Sequence, residues 1–152
     1  MSIEAKLAEL GITLPQAAAP VASYQAVVVT GNLAFLSGQL PFVDGQLVTG
    51  KLGADVSLET GQQAARACGL MILAQLKAAG LLERVEQVVK LGGFVASTPD
   101  FTDQPKVVNG CSDLMAEVFG DAGKHARSAV GVPVLPLDAA VEVDAIVALR
   151  PH

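Results

Sequence analysis

Hydrophobic positions recur along this chain at two spacings, and the switches between them lay out the elements. Ile3, Leu7 and Leu10 fall on one helical stripe with Glu4, Lys6 and Glu9 around it, and Gly11 stands where such a helix stops. Residues 14–20 are rich in Pro and Ala and read as an extended connector. Residues 22–29 predict a strand, Thr30-Gly31-Asn32 a turn, and residues 33–37 the returning strand. Asp44-Gly45 marks a second turn before a short strand at 46–48. Then the period changes. Ala64, Ala65, Cys68, Ile72, Leu76 and Ala79 share one helical face, with Gln62, Arg66 and Lys77 opposite. Leu70, Met71 and Leu73 widen the apolar arc, so this helix is expected to be covered on more than one side. Ser57 suits its N-cap and Gly80 the position after its end.

Residues 85–96 return to strand character, interrupted at Gly92-Gly93, where a bulge is expected. A second helix over 103–119 carries Val107, Val108, Cys111, Leu114, Met115 and Val118, with Pro105 in its first turn and Gly120 at its end. Strands at 127–132 and 139–149 close the chain. In the last, Val141, Val143, Ala145, Val147 and Leu149 alternate with Glu142, Asp144, Ile146 and Ala148. The order α-βββ-α-β-α-ββ predicts an α+β fold, with two main helices laid on one face of a mixed sheet and a short N-terminal helix added. The 152 residues suit a single domain over 1–152, with 1–20 its N-terminal helix and connector.

Composition sharpens this picture. Hydrophobic residues make up 51% and charged residues 16%, and the mean hydropathy is +0.48. No apolar run reaches the length of a membrane span, so the surplus is expected between subunits of a homo-oligomer. The net charge of −5 disfavours nucleic acid as a partner, since phosphate backbones need several cations on one face. Cys68 and Cys111 lack CxxC spacing and read as buried thiols of a cytoplasmic protein. Met1-Ser2-Ile3-Glu4 shows no basic region followed by an apolar run, so a secretory signal is not expected. No His/Cys/Asp/Glu cluster has metal-ligand spacing, and Leu91-Gly92-Gly93 lacks the spacing of a phosphate loop, so no metal or cofactor is expected.

Arg127 is the strongest candidate for chemistry. The other arginines are Arg66, Arg84 and Arg150, and only Arg127 stands inside an apolar strand-like run. An unmatched charge there is costly, and a guanidinium matches a carboxylate with two parallel hydrogen bonds. The plain alternative is a salt bridge to Glu142 or Asp144. Glu142 is out of phase with the valine face of its strand. It is either an ordinary solvent-facing glutamate or a proton handler whose pKa rises in a partly buried cleft. Tyr24, the one tyrosine, reads alone as a strand aromatic. Gly38, in Ser37-Gly38-Gln39, would let a ligand approach the backbone. Asn109 reads as a solvated helix position, and His125 as a loop histidine near Arg127. Gly-x-Ser-x-Gly is absent, so a serine nucleophile is disfavoured.

Taken as an ordered set, Tyr24 seven residues before Gly31-Asn32, Ser37-Gly38-Gln39, Asn109, Arg127, Leu135-Pro136 and Glu142 resemble the Rid/YjgF family of enamine/imine deaminases. The likeness runs over residues 20–149. It implies a chorismate-mutase-like fold and a homotrimer with ligand clefts between subunits. It also implies hydrolysis of small 2-imino or 2-enamino acids to 2-keto acids and ammonia, with no cofactor. Arg127 would hold the carboxylate and Glu142 the water. Tyr24 and Asn109 of a neighbouring subunit, with Ser37, Gly38, Ala129 and Pro136, would shape the pocket. Two departures stand out. Ala129 replaces the cysteine usual two residues after the arginine, and residues 17–22 replace the usual Gly-Pro-Tyr-Ser-Gln entry. Both resemble a divergent subfamily often named for an endoribonuclease, the L-PSP family. A non-catalytic trimer binding 2-keto acids is the alternative, and a ribonuclease the third reading.

Overall fold

The computed structural model describes residues 1–20 and 23–151. In chain order the elements are α1 (Ile3–Glu9), β1 (Val27–Thr30), β2 (Leu33–Gln39), β3 (Phe42–Val43), β4 (Gln46–Leu47), α2 (Leu58–Ala78), β5 (Val85–Ala96), α3 (Gln104–Phe119), β6 (Ala126–Val132) and β7 (Val141–Leu149). Five strands form one mixed sheet in the order β1-β2-β7-β5-β6, and β3 and β4 form a separate hairpin. Only β5 and β6 run parallel, joined by α3. The expected α+β architecture is present, with α2 and α3 packed together on one face.

Local chemistry fixes the helix ends. Ser57 Oγ accepts from Thr60 N at 3.1 Å, and Gly80 takes φ +74° just past α2. Ser2 caps α1 in the same way, its Oγ accepting from Ala5 N at 3.0 Å. Small residues then set how closely α2 and α3 approach. A Cβ on Gly69 would meet Leu114 at 2.9 Å and Cys111 Sγ at 3.0 Å. Gly110 of α3 lies directly against the backbone carbonyl of Gln62 in α2. Beneath them Ile72, Leu73, Leu76, Leu114 and Met115 are fully buried against Leu91, Val95, Val143 and Val147. Each such large side chain contributes about 1.5–3 kcal/mol relative to exposure.

Three expectations are corrected. The first strand starts at Val27, not within 22–29 as a whole; position 22 lies outside the described residues. Its pairing with β2 ends at Val27↔Leu36 because β2 leaves regular register beyond Leu36. The Asp44-Gly45 turn is real, but it joins two arms, β3 and β4, and the second covers Gln46–Leu47 alone. Two residues are too few to show a period. Finally, β5 is not interrupted at Gly92-Gly93. Its register shifts fall between Val85 and Gln87 and between Val88 and Lys90. The glycines answer to close neighbours instead: a Cβ on Gly93 would sit 2.6 Å from Val108 of α3, and one on Gly92 would press on Asp144.

The sheet therefore has two unlike faces. Arg127 shares its row with Leu91, Ala145 and Leu36, the last three buried beneath the helices. Among the described residues no helix covers the other face. There Val28, Phe35 and Val130 are 50%, 39% and 45% exposed, beside Ile146, Asp144 and Glu142. Among the described residues no helix is long and apolar enough to cross a membrane.

Candidate functional site

Strand alternation decides which candidates can meet. Arg127 points to the helix-covered face from β6, an edge strand, and Glu142 to the open face from β7. The salt bridge to Glu142 or Asp144 is not formed, and within one chain the two residues do not share a cleft.

Arg127 instead reaches α3. Its Nη1 donates to Asn109 Oδ1 at 2.8 Å and to Ser112 Oγ at 3.1 Å. Both protons of Nη1 are thereby used. No partner for Nε or Nη2 exists among the described residues. This corrects the expectation that Asn109 comes from a neighbouring subunit: it serves Arg127 of its own chain. Ser112 follows Asn109 at i+3, on the same helix face. His125 lies two residues before Arg127, its Nε2 2.9 Å from Ser112 Oγ and its Nδ1 2.6 Å from the Gly123 carbonyl. These groups and Asp113 line a cavity of about 380 Å3. Ala129 follows on the same face as Arg127, packed against the core.

Of the remaining candidates, Gly38 lies against Glu142, and Tyr24 shares a cavity with Gly38. Between Leu36↔Ala145 and Gln39↔Val143, β2 carries one residue more than β7, so Ser37 and Gly38 form a bulge. The bulge brings Gly38 against the Glu142 side chain, whose Cδ would lie 2.8 Å from a Cβ there. Ser37 Oγ donates to the Gln25 carbonyl at 2.7 Å, which ties down the stretch after Tyr24. Tyr24 is 49% exposed. It lines a cavity of about 180 Å3 with Gly38, Gln39, Met71, Gln75 and Leu137. Pro136 opens the single turn Pro136–Asp138, in which Leu137 takes φ +58° and is 74% exposed. Buried Gln75 closes the floor, its Nε2 donating to Ala18 O at 2.6 Å and to Gln39 Oε1 at 3.3 Å.

Burial pushes the Glu142 carboxyl above its ordinary range, and neighbouring Asp144 adds to the shift. Asp144 is raised too, chiefly by burial, against the opposing pull of the Gly92 N–H and Lys90. Among the described residues the Glu142 carboxylate has no hydrogen-bond or ion-pair partner. A carboxylate whose pKa is raised is a stronger base than an ordinary one, suited to taking a proton from water. The thiols differ: burial pushes Cys111 up to about 12 and Cys68 well above its usual value, so neither supplies a nucleophile. Among the described residues no three His, Cys, Asp or Glu side chains gather as metal ligands. A larger cavity of about 930 Å3, between residues 13–18, the β3–β4 hairpin and α2, holds none of the candidates.

Sequence reasoning missed Ser112, Leu137 and the β2 bulge. Ser112 was legible from its i+3 spacing to Asn109. The bulge was not, because it exists only relative to β7.

Comparison with known proteins gives a consistent set. A family model described as YjgF/chorismate mutase-like, putative endoribonuclease, matches residues 4–149. The chain is 53% identical over 151 residues to protein TCP17 of Trypanosoma cruzi, covering 97% of this chain and 94% of that one. It is 31% identical over 141 residues to a 2-iminobutanoate/2-iminopropanoate deaminase of Dermatophagoides farinae, covering 91% and 95%. The crystal structure of a protein from Shewanella oneidensis described as a putative endoribonuclease superposes with a TM-score of 0.93 at 36% identity, covering 98% and 100%.

Proposed function

Because the chain belongs to the YjgF/chorismate mutase-like family, we propose that it hydrolyses small 2-imino and 2-enamino acids to 2-keto acids and ammonia. The observation that carries the reading is the state of Arg127. With Nη1 held by Asn109 and Ser112, the guanidinium presents its Nε–Nη2 edge, the fork a carboxylate fills with two parallel bonds. The 31% identity to an imine deaminase supports the same substrate class.

Arg127 and Glu142 stand on opposite faces of one sheet, so the reaction draws them from two chains. Arg127, Asn109 and Ala129 come from one subunit, and Glu142, Gly38, Ser37, Tyr24 and Pro136 from its neighbour, in the clefts of a homotrimer. The apolar open face is the surface such an assembly would cover. Arg127 fixes the carboxylate. Glu142 takes a proton from water as the water oxygen bonds to the imine carbon. That proton passes to nitrogen, and the second proton of the water, released from the carbinolamine hydroxyl as the carbonyl forms, follows it as the carbon–nitrogen bond breaks and ammonia leaves. No thiol takes part, in keeping with Ala129 in place of a cysteine.

The test is ammonia-linked disappearance of 2-iminopropionate, generated in place by an amino-acid oxidase. Wild type should accelerate the reaction, and Arg127→Ala and Glu142→Gln should each lose about a hundredfold or more. Mixing the two inactive chains should restore activity, because one cleft then holds both native residues. Failure to restore it would place both groups in one subunit. A wild type that binds 2-ketobutyrate without turnover would favour the non-catalytic metabolite-binding reading, which uses the same arginine fork. The ribonuclease reading ranks last, because the charge is −5 and the candidate residues form no basic surface.

A further inference from the structure

We propose that Ser112 and His125 are positioning residues that aim Arg127, through a hydrogen-bond chain running from the backbone of Gly123 to the guanidinium. This rests on the reading of Arg127 as a carboxylate clamp and assigns what holds the clamp still.

The direction of each bond follows from the donor and acceptor inventory. A carbonyl oxygen only accepts, so the 2.6 Å contact with Gly123 O puts a proton on Nδ1 of His125. In the tautomer this selects, Nε2 offers a lone pair, and Ser112 donates its hydroxyl proton to it across 2.9 Å. That commits the serine hydrogen and turns the oxygen lone pairs away from the ring. One of them accepts from Arg127 Nη1 at 3.1 Å. Asn109 Oδ1 takes the second Nη1 proton at 2.8 Å. A planar guanidinium held at both protons of one nitrogen has a fixed plane, and its free edge is fixed with it. The far end of the chain is equally firm. The turn at Gly123 lies so close to α3 that a Cβ there would collide with the Met115 carbonyl. The helix thus anchors the arginine directly, through Asn109 and Ser112, and again through the Gly123 turn.

A clamp on the substrate carboxylate grips ground state and transition state alike, so loosening it raises KM and leaves kcat. Ser112→Ala removes one bond to a charged group and leaves His125 Nε2 without its donor. KM for 2-iminopropionate should rise about tenfold, with kcat kept within about twofold. Ser112→Thr retains the hydroxyl and should restore the wild-type KM. His125→Gln, whose amide oxygen can stand in for Nε2, should be milder than His125→Ala. The same series is read a second way, by calorimetric affinity for 2-ketobutyrate, which needs the clamp but no chemistry. An active wild type whose Ser112→Ala variant keeps both KM and keto-acid affinity would overturn the chain while leaving deamination in place. So would Ser112→Thr failing alongside Ser112→Ala. A wild type that turns over no imino acid but loses keto-acid affinity on Ser112→Ala would keep the chain and remove the deaminase. A wild type that neither reacts nor binds would remove both.

Discussion

The two faces of the sheet handle charge in opposite ways. On the helix-covered face, Arg127 stands among buried neighbours, and α3 supplies an oxygen for each proton of its Nη1. On the open face, Glu142 and Asp144 follow at i, i+2 with burial holding both carboxyls above their ordinary range, and Glu142 has no partner among the described residues. Arg127 is held at one nitrogen inside the chain, and Glu142 is held at no atom by the described residues. Helices bring polar side chains within reach at i, i+3 spacing; a bare sheet face offers its carboxylates only cross-strand neighbours, here Gly92 and Phe94 of β5 and Gly38 of β2.

The sharpest way to break the Arg127 half is Arg127→Lys. Charge survives, but a lysine cannot keep both oxygens of α3 and still present a planar fork. The expected result is a fall of roughly a hundredfold in kcat/KM for 2-iminopropionate, measured by released ammonia. A loss of less than about threefold would mean that a point charge suffices, and the fork would lose its role.

Adjacent glycines offer a second contrast, because Gly92 and Gly93 face opposite sides of β5. A methyl group on Gly93 meets Val108 of α3 at 2.6 and 2.7 Å, and Val108 is itself fully buried with nowhere to go. Gly93→Ala should cost about 1–3 kcal/mol in denaturant unfolding. On Gly92 the new methyl meets only the end of the Asp144 side chain, which can swing toward solvent. Gly92→Ala should cost less than about 1 kcal/mol. Equal costs would show the open face to be as tightly packed as the covered one.

The same division explains what the sequence made legible. Wherever a periodic pattern meets one continuous buried surface, as in α2, α3, β5 and β7, the pattern gave type and place to within a residue or two. Gly80 and Ser57 marked the ends of α2 because capping is local chemistry. Features defined by a second strand were not readable: the Ser37–Gly38 bulge depends on β7, and β3 on its two-residue pairing with β4. The Gly92-Gly93 reading failed for a related reason. A glycine pair in a strand signals either a bulge or a close neighbour, and only packing tells them apart. At the candidate site, residue types were legible but faces were not. Arg127 and Glu142 sit fifteen positions apart, and only the crossing from β6 to β7 puts them on opposite sides.

The smallest effect expected is a pH dependence of stability centred on Glu142. Its folded pKa lies above the ordinary value of 4.5, so the folded chain holds that proton more tightly than the unfolded chain. Below the ordinary value both states are protonated and the group is neutral toward folding. As pH rises through 4.5 toward the raised folded value, the unfolded chain releases the proton first, and stability falls until the folded group has ionised as well. Above that the penalty is constant. Glu142→Gln removes the charge but keeps the shape, so its unfolding midpoint should exceed that of wild type at pH 7–8, and the gap should close as pH approaches 4.5. Thermal unfolding across that range decides it, and a concentration series adds the contrast with assembly. Should a neighbouring Arg127 complete the carboxylate, dilution that separates subunits would widen the gap. A gap that is absent at every pH and concentration would show that the open face does not burden Glu142 at all, and would return it to the standing of a solvent-facing strand glutamate.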